Sequence, residues 1–164
     1  MSDKASRECG GCTACCFTHS VAREDGPVTK VFEWCTHCTQ GVGCSIYEAR
    51  PHACSTYRCA WLRGTLDDDK RPDRWGIVVD IWPIPNESKL FVNLWEATSG
   101  RMYAPDIQAT VKVLIVAGKY VVACRPIDRN EQLHFPADMA EVDQLRFVNA
   151  VIRHIRERER EAAA

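Results

Sequence analysis

No apolar run in the 164 residues approaches the ~20 that a membrane-spanning helix requires, so no membrane partner is expected. An excess of charge of one sign is lacking too: 21 Lys and Arg against 22 Asp and Glu leave a formal net charge of -1. That balance, with no basic stripe interleaved with aromatics, offers no footprint for nucleic acid, and no nucleic-acid partner is expected. The opening residues MSDKASRECGG are polar and lack the apolar core of a secretory leader. The expected compartment is therefore a reducing cytoplasm, where disulfides are rare. There is no Walker loop, no G-x-G-x-x-G, no H-E-x-x-H and no G-x-S-x-G, which removes the common nucleotide-binding and hydrolase signatures. Internal repeats and low-complexity tracts are absent as well.

Cysteine is what the chain has in excess. Nine of its ten cysteines lie between Cys9 and Cys59, and Cys124 stands alone. A chain of this length, 46% hydrophobic, can bury a core without disulfides, so the clustering needs another explanation. In a cytosolic protein that explanation is metal binding or catalysis. Cys124 lies in the apolar run KYVVAC and reads as a small buried hydrophobe.

The first cluster is Cys9-Gly-Gly-Cys12-Thr-Ala-Cys15-Cys16, a C-x2-C-x2-C-C pattern. A two-residue gap turns the chain tightly enough to bring two sulfurs to one ion. Gly10 and Gly11 permit the backbone angles such a turn needs and leave amide N–H groups free to face sulfur. The second cluster is Cys35-Thr-His-Cys38 with Cys44; the third is Cys54 and Cys59. Thiolates are soft ligands that select zinc, iron–sulfur clusters or copper(I). Eight or nine thiols exceed the four taken by one tetrahedral zinc or one cubane. Two arrangements fit: two four-thiolate sites, or one cluster with reactive thiols beside it. Three cysteines at two-residue gaps resemble ferredoxin-type ligation and tip the reading toward iron–sulfur, whereas structural zinc more often takes paired C-x2-C knuckles. His19, His37 and His52 lie in the same region and are each possible replacements for a thiol. Arg50 and Arg58 are candidates for offsetting thiolate charge.

At these residues the sequence resembles the YkgJ-like cysteine-cluster family, whose hallmark is C-x-x-C-x-x-C-C and whose domain is described as chelating zinc or iron. The segment Cys44-Ser-Ile-Tyr-Glu-Ala-Arg-Pro-His-Ala-Cys54 is the more specific half, because it matches non-cysteine residues too. Eight cysteines match: Cys9, Cys12, Cys15, Cys16, Cys35, Cys44, Cys54 and Cys59. Cys38 departs from the pattern, standing where family members usually carry an apolar residue; it is an extra ligand or a spare thiol. The resemblance covers residues 9–64 and implies metal binding without a settled activity. Some relatives, such as flagellin lysine-N-methylase, join the cluster to protein modification, but they are considerably longer.

The rest of the chain has ordinary patterning. Trp75–Trp82 and Leu90–Trp95 read as strands around a Pro83–Lys89 turn, a β-hairpin. Ile107, Val111, Leu114 and Ile115 fall at helical spacing, with Pro105 before them and Gly118 after. Lys119–Cys124 reads as a further strand. Asp138 with Glu141 resembles a capping box. Beyond it Met139, Val142, Leu145, Val148, Val151, Ile152 and Ile155 make an apolar stripe at helical period, followed by the charged tail RERERE. These features predict an α+β fold. Residues 1–64 form a loop-rich, cysteine-rich metal-binding region. Residues 65–164 form an α+β region in which a small antiparallel sheet, residues 75–124, packs on a long C-terminal helix. The two are expected to make one compact domain.

Three functions compete on this reading. The first is a metal-binding accessory or binding module, with a protein as its further partner. The second is a metal-dependent enzyme with polar groups such as His52, Arg50, Asp80, Glu96 and Asp67–Asp69 beside the cluster, though their spacing fixes no reaction. The third, a zinc-dependent nucleic-acid binder, is weakened by the charge balance.

Overall fold

The computed structural model describes residues 7–23 and 26–162. Its front half is built of short pieces, as expected of a stretch poor in aliphatics. α1 (Cys15–Thr18) is a single helical turn. β1 (Val21–Arg23) and β2 (Gly26–Thr29) form one two-stranded antiparallel ladder; β3 (Cys38–Thr39) and β4 (Gly43–Cys44) form another. A 3-10 turn at Tyr47–Ala49 leads to α2 (His52–Thr56). Arg50 between them is extended, at ψ 148°, as proline at 51 requires of the residue before it. Aromatic rings do some of the organising that aliphatics do elsewhere. Phe17 packs on Phe32 and Trp34, and Phe32 meets Trp95, with ring centroids 5.0–6.3 Å apart.

The back half begins with α3 (Pro72–Trp75), which ends at Gly76 with φ +80°. A Cβ there would stand 2.8 Å from Arg101 Cγ, so the turn into the sheet needs glycine. β5 (Ile77–Pro83) and β6 (Leu90–Glu96) pair antiparallel from Ile77↔Glu96 to Pro83↔Leu90, giving the predicted hairpin. Pro83 is tolerated because β5 is an edge strand. α4 (Pro105–Val116) follows, then β7 (Tyr120–Arg125), β8 (Gln132–His134) and α5 (Glu141–Ala162). The fold is α+β, with strand order β5-β6-β7-β8.

One junction departs from the antiparallel expectation: β6 and β7 run parallel, Leu90↔Tyr120 through Trp95↔Arg125. A crossover connection returns the chain to the same end of the sheet, and α4 supplies it. The sheet is therefore mixed, and it gains β8, paired antiparallel to β7.

Alternation along the strands divides the core into two faces. Ile77, Val79, Val92, Leu94 and Val122 point to one face and pack under Ile107 and Val111 of α4. Cys124 belongs to this face and is 2% exposed. On the other face, Phe91, Val121 and Ala123 pack against Phe147, Ala150 and Val151 of α5. At the opposite end of that second face, Val78 packs with Ala14, Cys59 and Trp61 of the cysteine-rich region. The sheet is thus shared between the C-terminal helix and the thiol-bearing lobe. No helix among the described residues is long and apolar enough to cross a membrane.

The C-terminal helix is present, and Met139, Val151 and Ile155 of the predicted stripe pack in the core, but the buried face is centred on Phe147 and leaves other stripe residues outside. Val142 and Leu145 are 74% and 64% exposed, while Phe147 is fully buried. The helix starts at Glu141, with Ala140 as its first carbonyl acceptor, so Asp138 lies too early to cap it.

Candidate metal centre

The first turn of the lobe closes as the glycines predict. Cys12 N–H donates to the Cys9 carbonyl at 2.9 Å, with Gly10 at φ +51°. A Cβ on Gly11 would lie 3.0 Å from the Gly41 carbonyl oxygen, so the turn rests directly on the β3–β4 hairpin. Thr13 Oγ1 accepts from Gly41 N–H at 3.1 Å and fixes that contact. Cys9, Cys12 and Cys15 then border one cavity together with Cys59, which arrives from beyond α2. The cavity holds about 20 Å³, room for roughly one water-sized body. The rings of Tyr57 and Trp61 supply much of the rest of its lining. Burial pushes the Cys9 thiol up, with nearby Cys12 adding to the effect and Arg58 and Arg50 opposing it. Burial also raises the Cys59 thiol, opposed by the backbone of Leu62.

The remaining lobe cysteines meet this set at the Cys15–Cys16 contact. Cys16 accepts hydrogen bonds from the Cys15 and Cys38 thiols, which hold it at a pKa of about 6. Cys15 is pushed well up by donating to Cys16 and by burial. Burial, with the Cys16 charge beside it, pushes Cys38 up to about 12. Cys35 N–H donates to the Cys16 carbonyl, and Cys38 N–H to the Cys35 carbonyl, both at 3.0 Å. Cys38 faces Cys44 across the β3–β4 ladder. Cys54 is raised chiefly by burial, with Cys16, Cys35 and Cys44 as its charged neighbours.

A buried acid joins the lobe to the sheet. Asp80, 3% exposed on β5, accepts from Tyr57 OH at 2.5 Å and from Trp95 Nε1–H at 3.0 Å. His19 Nε2 lies 2.8 Å from the same carboxylate, and His19 Nδ1 lies 2.7 Å from Thr18 Oγ1. Burial works to raise the Asp80 pKa, but His19, Tyr57 and Trp95 outweigh it and the net direction is down. Both ring nitrogens of His19 are therefore taken, and it does not serve as a ligand. His52 is exposed on α2, and the His37 carbonyl accepts from Ser45.

The polar groups proposed for an enzyme pocket do not gather. Asp80 is locked in the network above. Both carboxylate oxygens of buried Glu96 accept backbone N–H groups, from Met102 at 3.0 Å and Ile127 at 2.7 Å. Asp68 pairs with Arg7, and Asp69 with Lys70. Arg58 is tied to the Ser55 and Tyr57 carbonyls. Arg50 differs: its guanidinium lies 3.7 Å over the Tyr47 ring, and its buried Nη1 has no hydrogen-bond partner. That unsatisfied donor stands near Cys9 and Cys54, whose thiols its charge lowers.

Sequence reasoning did not find Tyr57, Trp95, Thr13 or Thr18 at this site. Thr13 and Tyr57 stand between motif cysteines, so position alone was a usable signal. Trp95 offered none, since its role depends on strand register.

The donor set suits a soft cation: four sulfurs around an apolar, atom-sized space, with an orphaned guanidinium nitrogen nearby. The ten cysteines are free thiols. Among the described residues, however, no three His, Cys, Asp or Glu side chains are grouped to hold an ion as they stand. The four cysteines line the cavity without forming such a group, so ligation requires their side chains to rearrange. Comparison with protein-family models, curated proteins and solved structures returned no match.

Proposed function

We propose that this chain is a metal-binding protein in which Cys9, Cys12, Cys15 and Cys59 chelate one soft cation, acting as an accessory or binding module. The resemblance to the YkgJ-like family points the same way. The observation that carries the reading is the cavity itself. Its volume suits one atom-sized guest, and four of the residues that line it are cysteines. Thiols that give up their protons there acquire negative charge, and the free Nη1 of Arg50 is a donor ready to offset it. Four thiolates fill a tetrahedral shell and leave no open position for substrate, which favours a binding role over a catalytic one.

A single-ion cavity favours zinc. The two-residue gaps between Cys9, Cys12 and Cys15 favour an iron–sulfur cluster instead, with the remote Cys59 as fourth ligand. Elemental and acid-labile sulfide analysis of anaerobically purified protein separates the two. A colourless protein with stoichiometric zinc is expected; brown colour with sulfide selects the cluster. Protein that takes up neither metal overturns the reading.

A further inference from the structure

We propose that the outward face of α5 is a dimer seam, through which this chain packs parallel and two-fold against α5 of a second copy.

The seam is built from the part of the apolar stripe that the sheet does not take. Phe147, Ala150 and Val151 bury the inner face of α5. Successive residues of a helix turn by about 100°, so Val142, Leu145, Asn149 and Ile152 project to the side about 180° from Phe147. All four are exposed there. They follow one another at steps of three, four and three residues, the a and d spacing of a coiled coil. Arg156 and Glu159 take the next two such positions, so the apolar seam ends before the charged tail.

The residues of the seam select its occupant. Asn149 stands at an a position between apolar layers. Against an apolar partner its amide would be stranded; across a two-fold axis it meets its own copy, the arrangement that holds two strands in register. Charge sets the direction. One flank of the seam carries Arg146, Arg153 and Arg160 at seven-residue intervals, and the other carries Glu141, Val148 and Ile155. Val148 and Ile155 line a groove against β8 that Glu131 lines as well. An antiparallel pair would set the arginine flanks against each other. A parallel pair sets each arginine flank against the acidic and apolar one, with Glu141 facing Arg146 of the second copy. Arg146 also pairs with Asp143 and Glu87 of its own chain, whereas Glu141 and Arg153 have no ion-pair partner among the described residues. The sheet lies behind Phe147, so both bodies stand outside the helix pair and leave the seam clear. Two heptads are few for a free coiled coil, but α5 is already ordered on the sheet, and docking carries no cost of helix formation.

Sedimentation equilibrium of the full chain in thiol reductant tests this. Over roughly a hundredfold dilution series the mass should fall from two chains toward one. Leu145→Asp should raise the dissociation constant at least about tenfold, because symmetry makes the change twice, while its far-UV circular dichroism matches the parent. Asn149→Leu should tighten association and admit assemblies of more than two chains. Glu141→Arg should weaken the dimer, and adding Arg146→Glu should restore it. A mass of one chain throughout overturns the proposal and leaves the face to a different protein. A dimer that Leu145→Asp leaves intact makes its contact elsewhere and overturns it too. Glu141→Arg without effect refutes the parallel direction.

Discussion

Cys16 should be the first thiol to react in the metal-free chain. The thiolate is the nucleophile, and donation from Cys15 and Cys38 holds Cys16 at a pKa of about 6. Its alkylation by iodoacetamide should rise through a midpoint near 6, while Cys38, pushed up to about 12, stays silent over the same range. Peptide mapping after short pulses at several pH values measures both. Cys38→Ala removes one donor and should move the Cys16 midpoint upward. Asp80 makes a second residue-level prediction. Asp80→Ala strands buried partners on His19, Tyr57 and Trp95 and should cost about 3 kcal/mol in urea unfolding at neutral pH. The Asp80 pKa lies below its ordinary value of 3.8. Its contribution is therefore present above that value and lost as pH falls through the lower, folded one. The gap between variant and parent should narrow in strong acid. Nothing in the residue string announced this carboxylate's partners, because they arrive from the residue just after α1, from the segment before Cys59 and from β6.

Among the elements, the glycine turn and the C-terminal helix show what was legible and what was not. Gly10 and Gly11 were readable as a turn between thiols, and the structure bears this out. Gly10→Ala puts a side chain at φ +51° and should cost about 1 kcal/mol. Gly11→Ala drives a Cβ against the Gly41 carbonyl and should disturb zinc uptake as well as stability, read by chelator competition. The helix was recognisable by its period, but its inward face was not. Val142 and Leu145 extend an apolar track beside the one headed by Phe147, and only the position of the sheet decides which is buried. Phe147→Ala should cost about 3–4 kcal/mol, and Leu145→Ser under about 0.5 kcal/mol, by thermal or urea unfolding. The parallel β6–β7 junction was likewise hidden. Strand patterns state which residues alternate, not which way the returning chain runs.

For the whole molecule, the lobe and the sheet should respond differently to a chelator. The lobe owes much of its order to short turns, aromatic contacts and thiols, whereas the sheet is sealed by α4 on one face and largely by α5 on the other. On the metal-binding reading, stripping the ion should speed amide hydrogen exchange across residues 9–59 and leave β5–β7 protected. Uniform exchange throughout would contradict that partition.

The direction of β7 has a kinetic corollary. Its pairing with β6 joins residues 30 positions apart, Leu90 with Tyr120, and the intervening chain must coil into α4 first. The β5–β6 hairpin closes over a short turn and can nucleate early. Docking of β7 carries the larger loop-closure entropy and should therefore come late in refolding. Until it does, β6 presents a bare edge built of LFVNLWE to any neighbouring chain, and yield on refolding should fall as protein concentration rises.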